Sequence, residues 1–282
     1  MTTLWVLLHV AAQRDYELHS LDFSTTFLQG SLHEEIRLRR PPGFTESFPA
    51  GTQWSLRRPV YGLRQAPREW HDTLRMTLAA LGFAPSTADP SLFLRTDTSL
   101  PPFYVLVYVD DLVFATADTE ALALVKSELQ KRHTCTDLGE LRSYLGLQIT
   151  QDRAQRTITL TQSHMVHQVL QRFGFRYSSP QFTPLPTVDR AWGSCFEDGA
   201  QLSSLDTQTL LGSSCEDEIY AGAMAAQELR WLTYLLTDLG ERPRSSPFLY
   251  VDNKAMIALC QEHRLEHRTK HIALRYFLGQ EL

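Results

Sequence analysis

The sequence is short of cysteine and of long apolar runs, and each shortage excludes a class of protein. No stretch approaches the roughly 18 to 20 uncharged apolar residues of a membrane-spanning helix, so we expect no integral membrane protein. The first residues lack a basic region followed by a small-residue cleavage site. We therefore expect an intracellular protein, cytoplasmic or nuclear, that is not secreted. The four cysteines fit neither a zinc-binding pattern nor a disulfide-rich scaffold, and we predict free thiols at positions 135, 195, 215 and 260.

Positive charge is also scarce overall, but it is unevenly distributed. Lys and Arg number 27 against 32 Asp and Glu, a net charge of −5, which argues mildly against a protein that coats nucleic acid without specificity. The segment from position 37 to 75, however, contains eight arginines and three acidic residues, which gives a local net charge of +5. This arginine-rich segment either follows phosphate groups or forms a solvated surface stripe, and charge alone leaves both interpretations open.

Hydrophobic periodicity predicts a mixed α/β (α+β) fold. The chain has 282 residues and is 43% hydrophobic, enough for a sizeable core and for about two domains. We predict strands at 17–23, 91–95, 103–109, 112–116, 145–151 and 157–161, and helices at 3–13, 68–83, 119–133, 163–173 and 216–239. The segment 177–214 is rich in Ser, Pro, Gly and Thr without periodicity, so we predict a linker there.

Two adjacent carboxylates, Asp110 and Asp111, directly follow the apolar strand 103–109. They repel each other and lose hydration if the turn is enclosed, so we expect a cation to compensate them. Magnesium takes one or two carboxylates together with water and phosphate oxygens, so Asp22 would complete a site if the fold brings it close. Two such ions about 3.5 to 4 Å apart would stabilise the attacking and leaving oxygens of a phosphoryl displacement. The alternative is an exposed turn, with Asp22 as a helix cap.

Four sequence motifs resemble one family when taken in order. They are LDFSTTFLQG at 21–30, YGLRQAPREW at 61–70, YVDD at 108–111 and DLGEL at 137–141. Their order and spacing resemble the reverse transcriptase of copia-type LTR retrotransposon polyproteins. A second resemblance, to the ribonuclease H module of the same polyproteins, rests on SSCEDEIYA at 213–221, YVDN at 250–253 and RTKHI at 268–272.

The resemblance implies a polymerase palm, which is an antiparallel sheet backed by helices, with partial fingers before it and a thumb-like helix after it. We expect this reverse transcriptase region to span residues 1–176. Residues 177–214 would be a linker at an internal deletion, and residues 215–282 a truncated, incomplete ribonuclease-H-like fragment. Family members carry a longer fingers segment ahead of the first acidic strand, so we expect the triphosphate clamp to be absent or reduced.

The resemblance also gives the acids a role. Asp22 and Asp110 would be the principal ligands of two Mg²⁺ ions, with Asp111 beside them and the backbone carbonyl of Phe23 as a further ligand. The implied reaction is RNA-directed DNA synthesis, in which a primer 3′-hydroxyl attacks a deoxynucleoside triphosphate on an RNA or DNA template. The expected partners are therefore a template-primer and deoxynucleoside triphosphates.

Three further positions match substrate-binding residues of the family. Phe27 would exclude the ribose 2′-hydroxyl, the group that distinguishes RNA from DNA precursors. Gln65 would line the nucleotide pocket, and Tyr108 would lie near the primer end. Without the flanking motifs, a core aromatic and a helix-start residue explain Phe27 and Gln65 equally well. The segment 137–144 resembles the grip that positions the primer.

The second region matches its module only in part. Glu218 and Asp252 match two metal-binding acids of the ribonuclease H module. Residues 187–212 leave too little chain for the first strand of that module and its leading acid, so we predict that ribonuclease H activity is lost. The chain is then either an RNA-directed DNA polymerase or, alternatively, a catalytically inactive remnant whose arginine-rich segment binds nucleic acid.

Overall fold

A six-stranded antiparallel sheet organises the N-terminal part of the chain. The computed structural model describes residues 1–39, 53–174 and 214–241. The chain divides into two compact units, residues 1–166 and 167–282. The predicted mixed α/β class is confirmed, whereas the finer boundaries at 176 and 214 stay predictions. None of the described helices is long and apolar enough to cross a membrane.

The helices and strands follow one another in a mixed order. The helices are α1 (Thr2–Arg14), α2 (Thr26–Gln29), α3 (Ala66–Ala80), α4 (Thr119–Arg132), α5 (Ser163–Arg172) and α6 (Ser214–Asp238). The strands before α4 are β1 (Glu17–Phe23), β2 (Arg37–Arg39), β3 (Gln53–Ser55), β4 (Phe83–Pro85), β5 (Leu92–Arg95), β6 (Phe103–Tyr108) and β7 (Asp111–Thr116). The later strands are β8 (Cys135–Glu140), β9 (Ser143–Tyr144), β10 (Leu147–Asp152) and β11 (Thr157–Thr161).

The central sheet has the strand order β4-β5-β6-β7-β1-β8. Strands β6 and β7 are buried along almost their whole length, which is why both read as continuous apolar runs. Strands β9, β10 and β11 form a separate three-stranded sheet, and β2 pairs with β3. The acidic motif therefore lies at the β6–β7 connection, in the middle of the larger sheet.

Helices α3 and α4 cover one face of the central sheet. Each presents apolar residues at helical spacing, and these pack against alternate residues of β1, β6 and β7 (Trp70, Leu74 and Leu78 of α3; Leu122, Val125 and Leu129 of α4). The opposite face carries Tyr104, whose ring lies 5.9 Å from that of Tyr16, just after α1, and α1 contacts β7 and β11. Both faces of the sheet are thus covered.

Most of the predicted elements are confirmed within the described residues. Strand β1 has the predicted bounds, and Asp118 caps α4 by accepting a hydrogen bond from the backbone amide of Ala121. Helix α3 begins two residues earlier than predicted, with Pro67 in its first turn. Asp111 is not a turn residue, because it is the first residue of β7. Six short or polar elements were not predicted (α2, β2, β3, β4, β8 and β9).

Candidate functional site

The sheet brings three carboxylates together at one end of β1 and β7. Asp22 of β1 lies directly opposite Asp111 of β7, and Tyr108 of β6 lies opposite Asp111 on the other side. Residues directly opposite in adjacent strands share a face. Asp22, Tyr108 and Asp111 therefore lie on the face of the sheet opposite α3 and α4. With Asp110 of the adjoining turn, we call Asp22, Asp110 and Asp111 the acidic cluster.

A two-residue turn, Val109 and Asp110, connects β6 to β7. Val109 has φ of 55°, a conformation that is strained for a β-branched side chain. The neighbouring structure holds this turn: Trp70 Nε1 of α3 donates to the carbonyl of Val109 at 2.8 Å, and the amide of Phe23 donates to the carbonyl of Asp110 at 2.8 Å. The rings of Trp70 and Phe23 meet edge to face at 4.9 Å. The strained turn is therefore anchored from two elements.

The acidic cluster is electrostatically unfavourable as it stands. Burial raises the pKa of Asp111, and the charges of Asp22 and Asp110 raise that pKa further. Among the residues that the structure describes, no Lys, Arg or His forms an ion pair with the cluster. Oδ1 of Asp110 is buried and has no hydrogen-bond partner among the described residues. A buried acceptor without a partner is costly, so this end of the sheet is suited to a ligand that carries positive charge.

The donor set fits a hard divalent cation that keeps part of its hydration. In the described ranges, no group of three His, Cys, Asp or Glu side chains is arranged to hold a metal ion by itself. Magnesium does not require such a cage, since it usually takes one or two carboxylates and completes its shell with water and substrate phosphates. The facing carboxylates of Asp22 and Asp111 and the unpartnered oxygen of Asp110 match that requirement.

Residues that follow β1 lie next to the start of α3. Phe27 is half-buried on α2, and its ring lies 4.7 Å from the ring of Tyr61, which is itself exposed. Gln65 immediately precedes α3, and no hydrogen bond or ion pair of the described residues joins it to the acidic cluster. Thr26 is fully buried and donates its hydroxyl to the carbonyl of Phe23 at 3.1 Å. That hydrogen bond engages one lone pair of the carbonyl that the resemblance treats as a metal ligand.

The arginine-rich segment is only partly neutralised. Arg58 donates to the backbone carbonyl of Leu28 at 3.0 Å, which ties the segment before α3 to α2. Arg57 and Arg64 are exposed, and neither has an ion-pair partner within the described ranges. Three other arginines pair with local acids (Arg37 with Glu35, and Arg68 and Arg75 with Asp72). Arg40 lies outside the described residues.

Two contributors to the site were not predicted as such from the sequence. Tyr61 and Trp70 entered only as the two ends of the motif 61–70, and Trp70 also as an apolar residue of the predicted helix. Each contributes through a neighbour distant in sequence, so periodicity carries no signal for it. Their aromatic character within recognised motifs was the only available hint.

The residues predicted for the ribonuclease H module receive no structural support. Glu218 falls within α6, but its side chain is not described, and Asp252 lies outside the described residues. Cys135 is a half-buried free thiol, as predicted. Burial and the charges of Asp137 and Asp22 raise the pKa of this thiol to about 11, so it stays protonated at neutral pH.

Comparison with known proteins agrees with the geometry. A family model described as "Reverse transcriptase (RNA-dependent DNA polymerase)" matches residues 1–187, which include all the strands and the first five helices of the described residues. The chain belongs to this reverse transcriptase family. Its membership was predicted from the four motifs, and that prediction is confirmed.

Relatives of this reverse transcriptase region occur in plants and yeast. The "Retrovirus-related Pol polyprotein from transposon TNT 1-94" of Nicotiana tabacum is 32% identical over 185 residues, which cover 66% of this chain and 14% of that protein. The corresponding polyprotein "from transposon RE2" of Arabidopsis thaliana is 26% identical over 375 residues, covering 98% of this chain and 26% of that protein. The "Putative transposon Ty5-1 protein" of Saccharomyces cerevisiae is 37% identical over 131 residues, 46% of this chain and 42% of that protein. The chain thus spans less than half the length of each.

Proposed function

We propose that this chain carries out RNA-directed DNA synthesis by two-metal nucleotidyl transfer, as the reverse transcriptase of a copia-type retrotransposon. The observation that carries the proposal is the pairing of Asp22 with Asp111 across β1 and β7, with Asp110 in the strained turn beside them. Three crowded carboxylates without a basic partner in the described residues are unfavourable for folding alone. They are appropriate where divalent cations and a triphosphate bind.

In this proposal Asp22, Asp110 and Asp111 hold two Mg²⁺ ions, with the carbonyl of Phe23 as a further ligand. When bound, the ions supply positive charge that stabilises the attacking and leaving oxygens of an in-line displacement. The protein's own contribution is to fix the carboxylates. The β1–β7 register fixes Asp22 against Asp111, and the hydrogen bonds from Trp70 and Phe23 fix the turn that contains Asp110.

Three residues around the acids are proposed to bind substrate. Phe27 would exclude the 2′-hydroxyl of a ribonucleotide. Its contact with the ring of Tyr61 supports this role, because packing against a second ring keeps the Phe27 side chain in place. Tyr108 is 54% exposed and lies opposite Asp111, which suits a contact with the primer end. Gln65 would line the nucleotide pocket from the start of α3. The expected partners are an RNA or DNA template-primer and deoxynucleoside triphosphates.

The domain organisation remains part of the proposal. We infer a palm built on the central sheet, partial fingers that include β2 and β3, and a thumb-like helix α5, all within residues 1–176. Residues 177–214 would be the linker at an internal deletion, and 215–282 a ribonuclease-H-like fragment without activity. The Arabidopsis relative supports a deletion, because the aligned stretch of 375 residues exceeds the 282 residues of this chain by 93.

A second function, binding of nucleic acid without turnover, is favoured by one specific observation. Arg57 and Arg64 are exposed on the segment that leads into α3, and within the described residues no acid neutralises them. Exposed arginines of this kind bind phosphate independently of catalysis. A remnant with this surface would bind template with strong salt dependence and extend no primer.

Primer extension tests the proposal and separates the two functions. The purified chain is given an RNA template, a DNA primer, deoxynucleotides and Mg²⁺, beside the variants Asp110→Asn and Asp97→Asn. Asp97 is an exposed acid in the β5–β6 loop, at the end of β6 remote from Tyr108, and serves as the matched control. We expect extension by the wild type and by Asp97→Asn but not by Asp110→Asn. Salt-dependent template binding without extension would instead establish the second function.

A further inference from the structure

Helix α2 has only four residues, and a single helical turn does not hold its shape by itself. Nucleating a helix fixes several residues for one hydrogen bond, so a helix this short depends on contacts outside itself. Thr25, the residue before α2, has φ of 51°, which is strained for a β-branched side chain. The position of the Phe27 ring on α2 is therefore set by whatever holds this turn.

The side chain of Gln29, the last residue of α2, makes three hydrogen bonds to the backbone of two other segments. Its Nε2 atom donates to the carbonyl of Ser24 at 2.7 Å and to the carbonyl of Thr134 at 2.9 Å. Its Oε1 atom accepts from the amide of Thr134 at 2.9 Å. Exchanging the nitrogen and the oxygen would set an oxygen against two carbonyls, so the network defines one orientation of this amide group.

These hydrogen bonds continue the pairing of β1 with β8 beyond the ends of the two strands. Phe23, the last residue of β1, pairs with Cys135, the first residue of β8. The amide of Ser24 then donates to the carbonyl of Thr134 at 3.1 Å. The amide group of Gln29 both donates to and accepts from Thr134, as the backbone of a paired strand residue does. Helix α2 is thereby joined to the start of β8.

On its other side, α2 lies close to the backbone of α3. A Cβ atom added to Gly30, the residue after α2, would come within 3.4 Å of the backbone nitrogen of Trp70. The ring of Phe27 lies 4.7 Å from the ring of Tyr61, in the segment before α3. These packing contacts limit how close α2 comes to α3. Hydrogen bonds are directional, so those of Gln29 fix how the turn is oriented.

We propose that Gln29 is a positioning residue for Phe27, whose link to β8 orients α2 so that the Phe27 ring excludes the ribose 2′-hydroxyl. The inference rests on the proposed function, which gives Phe27 that role. Steric exclusion depends on the distance between the ring and the hydroxyl, so a small displacement of α2 weakens it. Sugar selection then depends on the link from α2 to β8 as well as on the size of the side chain at position 27.

Single-nucleotide insertion tests this inference. The full chain extends a primer by one residue with dATP or with ATP, and the ratio of the two kcat/KM values measures sugar selection. Gln29→Met keeps the length of the side chain and removes its hydrogen bonds. Gln151→Met is the matched control, because Gln151 of β10, in the separate three-stranded sheet, donates to the carbonyl of Tyr16 at 2.8 Å. We expect the ratio to fall about tenfold in Gln29→Met, the order of one net hydrogen bond, and to stay unchanged in Gln151→Met.

The ratio separates positioning from a general loss of stability. A merely structural change would lower kcat/KM for both nucleotides together and leave their ratio at the wild-type value. We expect instead that KM for ATP falls in Gln29→Met, while kcat/KM for dATP changes little. An equal fall of the ratio in Gln151→Met would overturn the inference.

Amide hydrogen exchange is a second measurement, and it needs no catalysis. The amides of Leu28 and Gly30 donate to the carbonyls of Thr25 and Phe27, so they report on the α2 turn. Both amides should exchange about tenfold faster in Gln29→Met, because the turn opens more often, and at the wild-type rate in Gln151→Met. Unchanged exchange in Gln29→Met would contradict the inference.

The outcomes also separate this inference from the proposed function. Loss of sugar selection in Phe27→Ala but not in Gln29→Met would overturn the role of Gln29 and leave that of Phe27 standing. An unchanged ratio in both variants would overturn both roles. If the chain extends no primer, the proposed function fails and the effect on sugar selection fails with it, while faster exchange at Leu28 and Gly30 would still establish that Gln29 fixes α2.

Discussion

Strand β1 carries ionisable groups in two surroundings. In one, the carboxylate has a basic partner, and in the other it has none among the described residues. Toward its end, Asp22 belongs to the acidic cluster, which has no basic partner in the described residues and contains an acceptor without a hydrogen bond. Three residues earlier, His19 belongs to a compensated group. Lys126 Nζ of α4 lies 2.6 Å from Asp137 Oδ1 of β8 and 2.8 Å from His19 Nδ1. We call His19, Lys126 and Asp137 the lysine cluster.

The two clusters lie on opposite faces of the sheet and show opposite electrostatics. Burial tends to raise the pKa of Asp137, but hydrogen bonds from Lys126 and the Gly139 amide outweigh it, and the pKa is lowered. The pKa of Asp111 is raised. Within one small sheet, then, the fold pairs the buried charge of Lys126 and leaves the three carboxylates of the acidic cluster without a basic partner among the described residues. This contrast supports the proposal that the acidic cluster binds a cation.

The largest expected effect comes from Asp22→Asn. Loss of a proposed metal ligand should reduce primer extension about 10³-fold, because charge stabilisation by the cation contributes several kcal/mol to the transition state. Without metal, the free energy of unfolding should not fall, since the change removes a charge that opposes Asp111. Single-turnover extension and urea unfolding measure the two effects. A variant that loses stability as well would contradict the contrast between the clusters.

Lys126→Met should have the converse effect on stability. It leaves Asp137 without its cation, but Asp137 is partly hydrated, so we expect a loss of about 2 kcal/mol, below that of a fully buried pair. Lys131→Met is the matched control on the same helix, because Lys131 forms an exposed pair with Glu128. The urea midpoint of the control should stay at the wild-type value. Equal midpoints for the two variants would show that the lysine cluster does not stabilise the fold.

Trp70→Phe tests the anchor of the strained turn. Losing the hydrogen bond to the Val109 carbonyl should lower the free energy of unfolding by about 1–2 kcal/mol. Extension should fall about tenfold, because the turn that carries Asp110 is then less well fixed and 1.4 kcal/mol corresponds to a factor of ten. Trp5→Phe, at a 45% exposed position of α1, should change neither quantity. Unchanged extension in a destabilised Trp70→Phe would assign this tryptophan to the core alone.

The smallest effect is a pH dependence from His19. Burial lowers the pKa of His19, and the charge of Lys126 lowers it further, against the opposing charges of Glu17, Asp137 and Glu140. The unfolded chain therefore binds a proton more readily, and stability falls as pH decreases from the ordinary value of 6.5 through the lowered one. When unfolding curves are measured between about pH 5 and 8, the free energy of unfolding should fall less with decreasing pH in His19→Gln than in the wild type. Identical declines would assign the dependence to other groups.

The sequence predicted the parts of the fold that repeat locally. Strand β1 follows from its alternation, the β6–β7 hairpin from two apolar runs around the acids, and α4 from its cap at Asp118. Helix α2 was missed because four residues carry no period, and β8 because an exposed, polar edge strand lacks apolar alternation.

The motifs predicted which acids would meet, but not how they are supported. Asp22 and Asp111 are 89 positions apart, and only the β1–β7 register puts them face to face. The hydrogen bond from Trp70 to Val109 and the ring contact of Phe27 with Tyr61 also depend on packing between elements distant in sequence. None of these contacts follows from a local pattern of residues.

The central claim is that the acidic cluster, which has no basic partner among the described residues, binds a divalent cation. Thermal melting with and without Mg²⁺ tests this claim most directly. A ligand that binds only the folded state raises its melting temperature. We expect Mg²⁺ to raise the melting temperature of the wild type and to leave that of the double variant Asp22→Asn, Asp110→Asn unchanged. Equal shifts in the two proteins, or no shift in the wild type, would contradict the claim.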